Sequence, residues 1–208
     1  MINLSPPRFF QRFFPNFIWN FPDEKEGVFL TFDDGPTQEI TPWVLEQLRK
    51  YNAKATFFCL AKNVEMNPDI YEQILADGHS VGNHSYSHIK GWHTDTSQYI
   101  QDIIYANSFI KSNLYRPPYG RISPRQILLL RHRYRIIMWD VLSMDYSKRV
   151  SPRKVVKYVM KNIHPGAIVV FHDSVKAQRN LKYALPRVLE GISEKGLVFK
   201  PIVIENNF

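Results

Sequence analysis

Val28-Phe29-Leu30-Thr31-Phe32-Asp33-Asp34-Gly35-Pro36 sets a short apolar run directly against two carboxylates and a Gly-Pro turn. A run of this composition and length, closed by turn residues, reads as a strand buried on both faces, the kind that parallel sheets require. Working outward, residues 55–60, 136–139, 167–171 and 197–204 read as further strands, with Pro201 marking an edge or an interruption in the last. Residues 80–82 are a weaker candidate. Helix signals fall between them. Thr41-Pro42 opens a helix to about residue 51, with Thr41 as N-cap and Pro42 at the first helical position. Asn67-Pro68 opens one ending near Asp77-Gly78, Ser123-Pro124 one to about residue 132, and Ser151-Pro152 one ending before His164-Pro165-Gly166. Tyr99, Ile103, Ala106 and Ile110 give a helical stripe over 95–112, and a last helix near 181–195 bends or begins around Pro186. With no internal repeat or linker in 208 residues, the alternation predicts one α/β domain of barrel-like build. In such folds the carboxyl ends of the strands gather at one face. Asp33, Asp34, His84, His88, Asp140, Asp145, His172 and Asp173 all follow candidate strands, so they are expected to converge.

A hydrophobic fraction of 44% excludes a disordered chain. The net charge of +8 is compatible with an anionic cell wall, nucleic acid or membrane surface. Nucleic acid is set aside because no zinc finger, RNP or comparable motif accompanies the charge. Cys59 is the only cysteine, which rules out an internal disulfide; its apolar strand makes it core filling. Residues 1–25 read as an aromatic and basic extension. Phe9, Phe10, Phe13, Phe14, Phe17, Ile18, Trp19 and Phe21, with Arg8 and Arg12, are expected to pack on the domain or to lie at a membrane interface. Arg12 and Pro15 interrupt any signal-peptide core, and no run of about 20 apolar residues could span a bilayer. The expected location is cytoplasmic or peripherally membrane-associated, with no obligate protein partner.

Four segments carry chemistry. In Asp33-Asp34 two adjacent carboxylates can divide labour, one binding a cation and the other accepting a proton, although Asp-Asp-Gly-Pro is also ordinary turn chemistry. His84 and His88, four positions apart in Asn83-His84-Ser85-Tyr86-Ser87-His88, can face one ion or simply be exposed. Tyr115-Arg116-Pro117-Pro118-Tyr119-Gly120 is a stiff loop in which Arg116 can hold a carboxylate and the Tyr119 N–H can meet an oxyanion; a structural polyproline turn is the alternative. His172 ends an apolar strand with a group that titrates near neutrality, or with a core histidine satisfied by a backbone carbonyl.

Together, in this order, these segments resemble the polysaccharide deacetylases of carbohydrate esterase family 4, which share the NodB-homology domain. All five motifs of the family occur between Thr31 and Asp173. The resemblance implies a distorted (β/α) barrel with fewer than eight strands, occupying residues 26–208 as the catalytic domain. It implies a divalent metal on Asp34, His84 and His88, with Zn²⁺ the first choice and Co²⁺ or Ni²⁺ also suited. It further implies Asp33 as catalytic base, Arg116 as the residue orienting it, His172 as acid, Asp145 as the carboxylate tuning His172, and the Tyr119 N–H as oxyanion donor. Pro117, Pro118, Tyr119, Tyr146 and Val170 would line the substrate site. Tyr146 and Val170 depart from the Trp and Leu that many relatives carry, which alters the acetyl-methyl pocket. The implied activity is removal of acetyl groups from N-acetylglucosamine units of a glycan such as peptidoglycan or a chitin-like polymer. An O-acetyl esterase and a carbohydrate-binding pseudoenzyme are the alternatives.

Overall fold

The structure is a computed structural model that describes residues 17–205. Its strands are β1 (Phe17–Ile18), β2 (Gly27–Asp33), β3 (Thr56–Cys59), β4 (Ser80–Asn83), β5 (Leu114–Tyr115), β6 (Arg135–Ile137), β7 (Val141–Leu142), β8 (Ile168–His172) and β9 (Val198–Phe199). The helices are α1 (Thr41–Lys50), α2 (Ala61–Met66), α3 (Pro68–Ala76), α4 (Thr96–Ala106), α5 (Pro124–Leu130), α6 (Pro152–Asn162) and α7 (Gln178–Glu194). The strands run parallel in the order β1-β6-β5-β4-β3-β2-β8-β7, with β9 added beside the start of β2. Only Met138, Trp139 and Asp140 join β6 near one end of that order to β7 at the other, so the sheet must curl until its ends meet. The path holds eight strands with β9 beside it, where fewer than eight were expected, because β6 and β7 are separate short strands near the two ends of the order.

Alternation along β2 decides what each face does. Val28, Leu30 and Phe32 point outward into the main core with Phe57, Val169, Phe171 and the inner faces of α1 and α7. Phe29, Thr31 and Asp33 point into the barrel, where Phe29 meets Phe58 and Ile168. The same period brings Ile168, Val170 and His172 of β8 inward. Direct register pairs Asp33 with His172, so two candidate catalytic side chains emerge side by side at one rim. The described part of the aromatic extension packs on the barrel: β1 pairs with β6, Phe21 N–H donates to Gly166 O (2.9 Å), and Asn20 bridges Ala167. Phe9, Phe10, Phe13 and Phe14 lie outside the described residues. Among the described residues no helix is long and apolar enough to cross a membrane.

Several boundaries differ from the sequence reading. The 197–204 strand shrinks to Val198–Phe199, because Pro201 has no N–H and the Ile202 N–H turns to Thr56 Oγ1 (2.8 Å). The 136–139 strand stops at Ile137, where the chain crosses toward β7. The 95–112 helix ends at Ala106, since the Asn107 side chain is drawn to Asn83 and Tyr134. The last helix starts at Gln178 and carries Pro186 within it. Thr41 is not the N-cap: Ile40 holds that place, and the Thr41 hydroxyl accepts from Thr37 N–H while donating to Asp173. Cys59 is buried, and burial pushes its thiol pKa up.

Gly82 pairs with Phe58 across β3 and β4, and a Cβ there would lie 2.4 Å from the Phe58 ring, which rests on the Arg116 guanidinium. Gly82→Ala is expected to destabilise the fold by about 1–3 kcal/mol through overpacking, read as a lower midpoint of thermal unfolding. An unchanged midpoint would show that Phe58 can shift without penalty.

Candidate active site

β2 ends in Asp33, and Asp34 takes a left-handed backbone (φ 81°) that swings its side chain away from its neighbour's. Buried Asp173 fixes this turn. Its Oδ1 accepts the Gly35 N–H (3.0 Å) and its Oδ2 the Thr41 hydroxyl (2.6 Å). A Cβ on residue 35 would fall 1.9 Å from Oδ2, so the turn requires glycine. Burial pushes the Asp173 carboxyl up to about 7. The sequence placed Asp173 near the site without giving it this anchoring task, which depends on a contact 138 residues apart.

Asp33 faces Arg116, which β5 delivers into the barrel interior with no exposed surface. Arg116 Nη1 donates to Asp33 Oδ1 (2.7 Å) and to Thr31 Oγ1 (2.7 Å), Nε donates to Ile137 O (3.2 Å), and Nη2 to Met138 O (3.0 Å). The pair holds the carboxylate in one orientation, and Arg remains charged at any ordinary pH.

Asp34 Oδ1 faces His88 Nε2 at 3.2 Å and His84 Nε2 at 3.7 Å, and the three residues form one group able to hold a metal ion. His84 Nδ1 lies 2.8 Å from the Arg116 carbonyl, so Nδ1 carries the proton and Nε2 presents a lone pair toward Asp34. Burial lowers the His84 pKa to about 4, which keeps that ring neutral. For Asp34, burial favours the neutral acid, but His88, His172 and His84 together hold it well below the usual carboxylate range. Asp34 Oδ1 is buried without a hydrogen bond of good geometry. One carboxylate oxygen and two imidazole nitrogens converging within coordination reach of one point form a donor set that fits a divalent metal.

Across the rim, Asp145 Oδ1 lies 2.8 Å from His172 Nδ1, and Asp145 Oδ2 accepts the His172 backbone N–H (2.8 Å). Burial opposes protonation of His172, but the charge and hydrogen bond of Asp145, with help from Asp34 and Asp33, raise it to about 9. Nδ1 is engaged, leaving Nε2 toward the cleft.

These groups open into a cleft of about 480 Å³ that also takes in Pro117, Tyr119, Arg121, Trp139, Leu142, Tyr146, Val170 and Lys176. Tyr119 sits at φ 59° with its ring edge on His88, and Tyr146 sets its ring edge on His172. Pro118 is buried and does not line the cleft. Asp140 does not join the group, because its carboxylate turns to Asn20, His164 and the Ile168 N–H at the opposite end of β8. Trp139, Leu142, Arg121 and Lys176 carried no signal in the sequence beyond lying near the motifs.

The polysaccharide deacetylase family model matches residues 21–133. Over 191 residues the chain is 35% identical to a peptidoglycan-N-acetylglucosamine deacetylase of Bacillus cereus, covering 86% of this chain and 67% of that protein. It is 31% identical over 181 residues to the peptidoglycan-N-acetylmuramic acid deacetylase PdaC of Bacillus subtilis, covering 84% of this chain and 37% of that longer protein. Among solved structures, the Bc1960 peptidoglycan N-acetylglucosamine deacetylase matches with a TM-score of 0.86 at 30% identity over 95% of each chain. The CE4 family pseudoenzyme BA3943 of Bacillus anthracis matches with a TM-score of 0.79 at 28% identity, over 89% of this chain and 67% of that one.

In metal-free protein the His172 imidazole is expected to titrate near 9 by NMR. Asp145→Asn removes the charge that raises it while leaving the burial that lowers it, so the midpoint should fall by about 2 units or more. An unmoved midpoint would show that Asp145 does not carry the shift.

Proposed function

The chain belongs to the polysaccharide deacetylase family, and from that premise we propose that it hydrolyses the acetamide of N-acetylglucosamine units in a glycan such as peptidoglycan, releasing acetate. The observation that carries this reading is the division of labour between neighbours: Asp33 is tied to Arg116, whereas Asp34 is turned toward His84 and His88.

Asp34, His84 and His88 would hold the metal, with Zn²⁺ suited to the ligands and Co²⁺ or Ni²⁺ acceptable to them. Such a cation, when bound, lowers the pKa of a coordinated water and polarises the acetyl carbonyl. Arg116 occupies Asp33 Oδ1, which leaves Oδ2 to accept the proton of the attacking water. The water oxygen bonds to the acetyl carbon, and the Tyr119 N–H serves as donor to the oxyanion. His172 Nε2 then gives its proton to the sugar nitrogen as the C–N bond breaks, and acetate leaves. An amine departs poorly without a proton, so the intact Asp145–His172 pair favours amide over ester cleavage. The cleft wall at Tyr146, Val170, Leu142 and Trp139 is where the acetyl methyl would lodge.

With Zn²⁺ restored, the protein should release acetate from N-acetylglucosamine oligomers or peptidoglycan. Asp33→Asn should keep its metal and lose about 100-fold or more in turnover, whereas His84→Ala should lose the metal itself. Metal loss in the Asp33 variant would reverse the two roles; no acetate from any N-acetylated glycan would remove the reading.

A further inference from the structure

Three cations stand around the cleft mouth, each over an aromatic ring. Lys90 Nζ lies 5.4 Å from the centre of the Tyr119 ring, Arg121 Cζ 5.2 Å from that of Trp92, and Lys176 Nζ 5.4 Å from that of Tyr146. Arg121, Lys176, Tyr119 and Tyr146 line the cleft itself. Among the described residues no ion pair joins any of these cations to a carboxylate. Among the described residues, the carboxylates lining the cleft are Asp33, already paired with Arg116, and Asp34, turned to the histidines.

The Arg121 platform is built rather than incidental. Trp92 is 61% exposed, yet its Nε1–H donates to Ile122 O (3.2 Å), which fixes the indole beside Arg121. The short turn Gly91–His93 that carries it is clamped by Gln126 Nε2 donating to Gly91 O (2.9 Å). A residue at position 91 with a Cβ would strike Arg121 O at 2.3 Å, so this turn and the Arg121 backbone are in close contact. An exposed tryptophan held in place and covered by an arginine presents a flat cation with its fork free. That is the geometry suited to a planar anion.

Resting on the deacetylase reading above, we infer that the cleft mouth is an anion-recognising subsite, in which Arg121, supported by Lys176 and Lys90, selects an N-acetylated glycan whose neighbouring sugar units bear carboxylates. The aromatic rings hold the cations in place, and the cations draw the acidic chain into register with Asp33 and His172. Arg121 and Lys176 act on which glycan enters and take no part in bond breaking.

The test compares a tetrasaccharide in which N-acetylglucosamine alternates with glucuronic acid against its carboxyl methyl ester, which has the same sugars without the charge. For Zn²⁺-loaded protein, kcat/KM for acetate release should favour the acid about tenfold, and the preference should shrink as salt is raised. In Arg121→Ala the ratio of acid to ester should fall toward one, with Arg121→Lys between, because lysine keeps the charge and loses the fork. Equal kcat/KM for acid and ester in the unaltered protein overturns the subsite while leaving the deacetylase reading intact. Preference for a 6-O-phosphorylated N-acetylglucosamine oligomer over the uronic acid chain overturns the carboxylate assignment. Tighter calorimetric binding of the acid than of the ester, without acetate from either, supports the subsite and removes the deacetylase reading.

Discussion

Arg116 carries a guanidinium into the barrel interior, and the rest of the site is arranged around that buried charge. Its donors reach Asp33, Thr31, Ile137 O and Met138 O, and Phe58 covers its face at 4.0 Å. Those contacts join β2, the loop after β5 and the end of β6. Among the described residues Asp33 is the one carboxylate paired with Arg116, and breaking a buried pair of this kind costs about 3–5 kcal/mol because the survivor is left without compensation. The same contact that stabilises the interior therefore fixes the orientation of the carboxylate at the rim.

Around this fixed point the backbone holds unusual conformations. Asp34, Ser85, His88, Tyr119 and Met144 have positive φ without being glycine, and three of these, Asp34, His88 and Tyr119, line the cleft itself. Such conformations persist only where surroundings over-determine them. Here the surroundings are polar anchors. Asp173 grips the turn after Asp34, Asn63 Nδ2 donates to Asp34 O (2.6 Å), Asn83 Oδ1 accepts the Ser85 N–H (2.7 Å), and Asp102 gathers the Tyr86 and Ser87 N–H groups. With the loops pinned, one Asp34 oxygen and a ring nitrogen of each imidazole are held close enough together to share one cation.

Much of this was legible in the chain because β2, β3 and β8 are dense apolar runs that end directly in Asp33, Cys59 and His172. The motif order placed Asp33, Asp34, His84, His88, Arg116, Asp145 and His172 near one rim. β1, β5 and β7 escaped notice because two-residue strands offer no period to read. α2 is six residues long and lacks a capping signal. Asp173 looked like one more rim carboxylate, whereas its side chain serves the turn at Gly35. Trp92 and Arg121 meet only after the Gly91 turn packs on residue 121, so neither stood out as part of a recognition surface.

The proposed division of tasks between the adjacent carboxylates is tested most directly by anomalous diffraction from crystals of the Zn²⁺-loaded protein. The predicted result is a single strong peak within coordination distance of an Asp34 oxygen and of Nε2 on both His84 and His88. Asp33 should remain on Arg116, outside the coordination sphere. A peak coordinated by Asp33, with Arg116 released from it, would contradict the account.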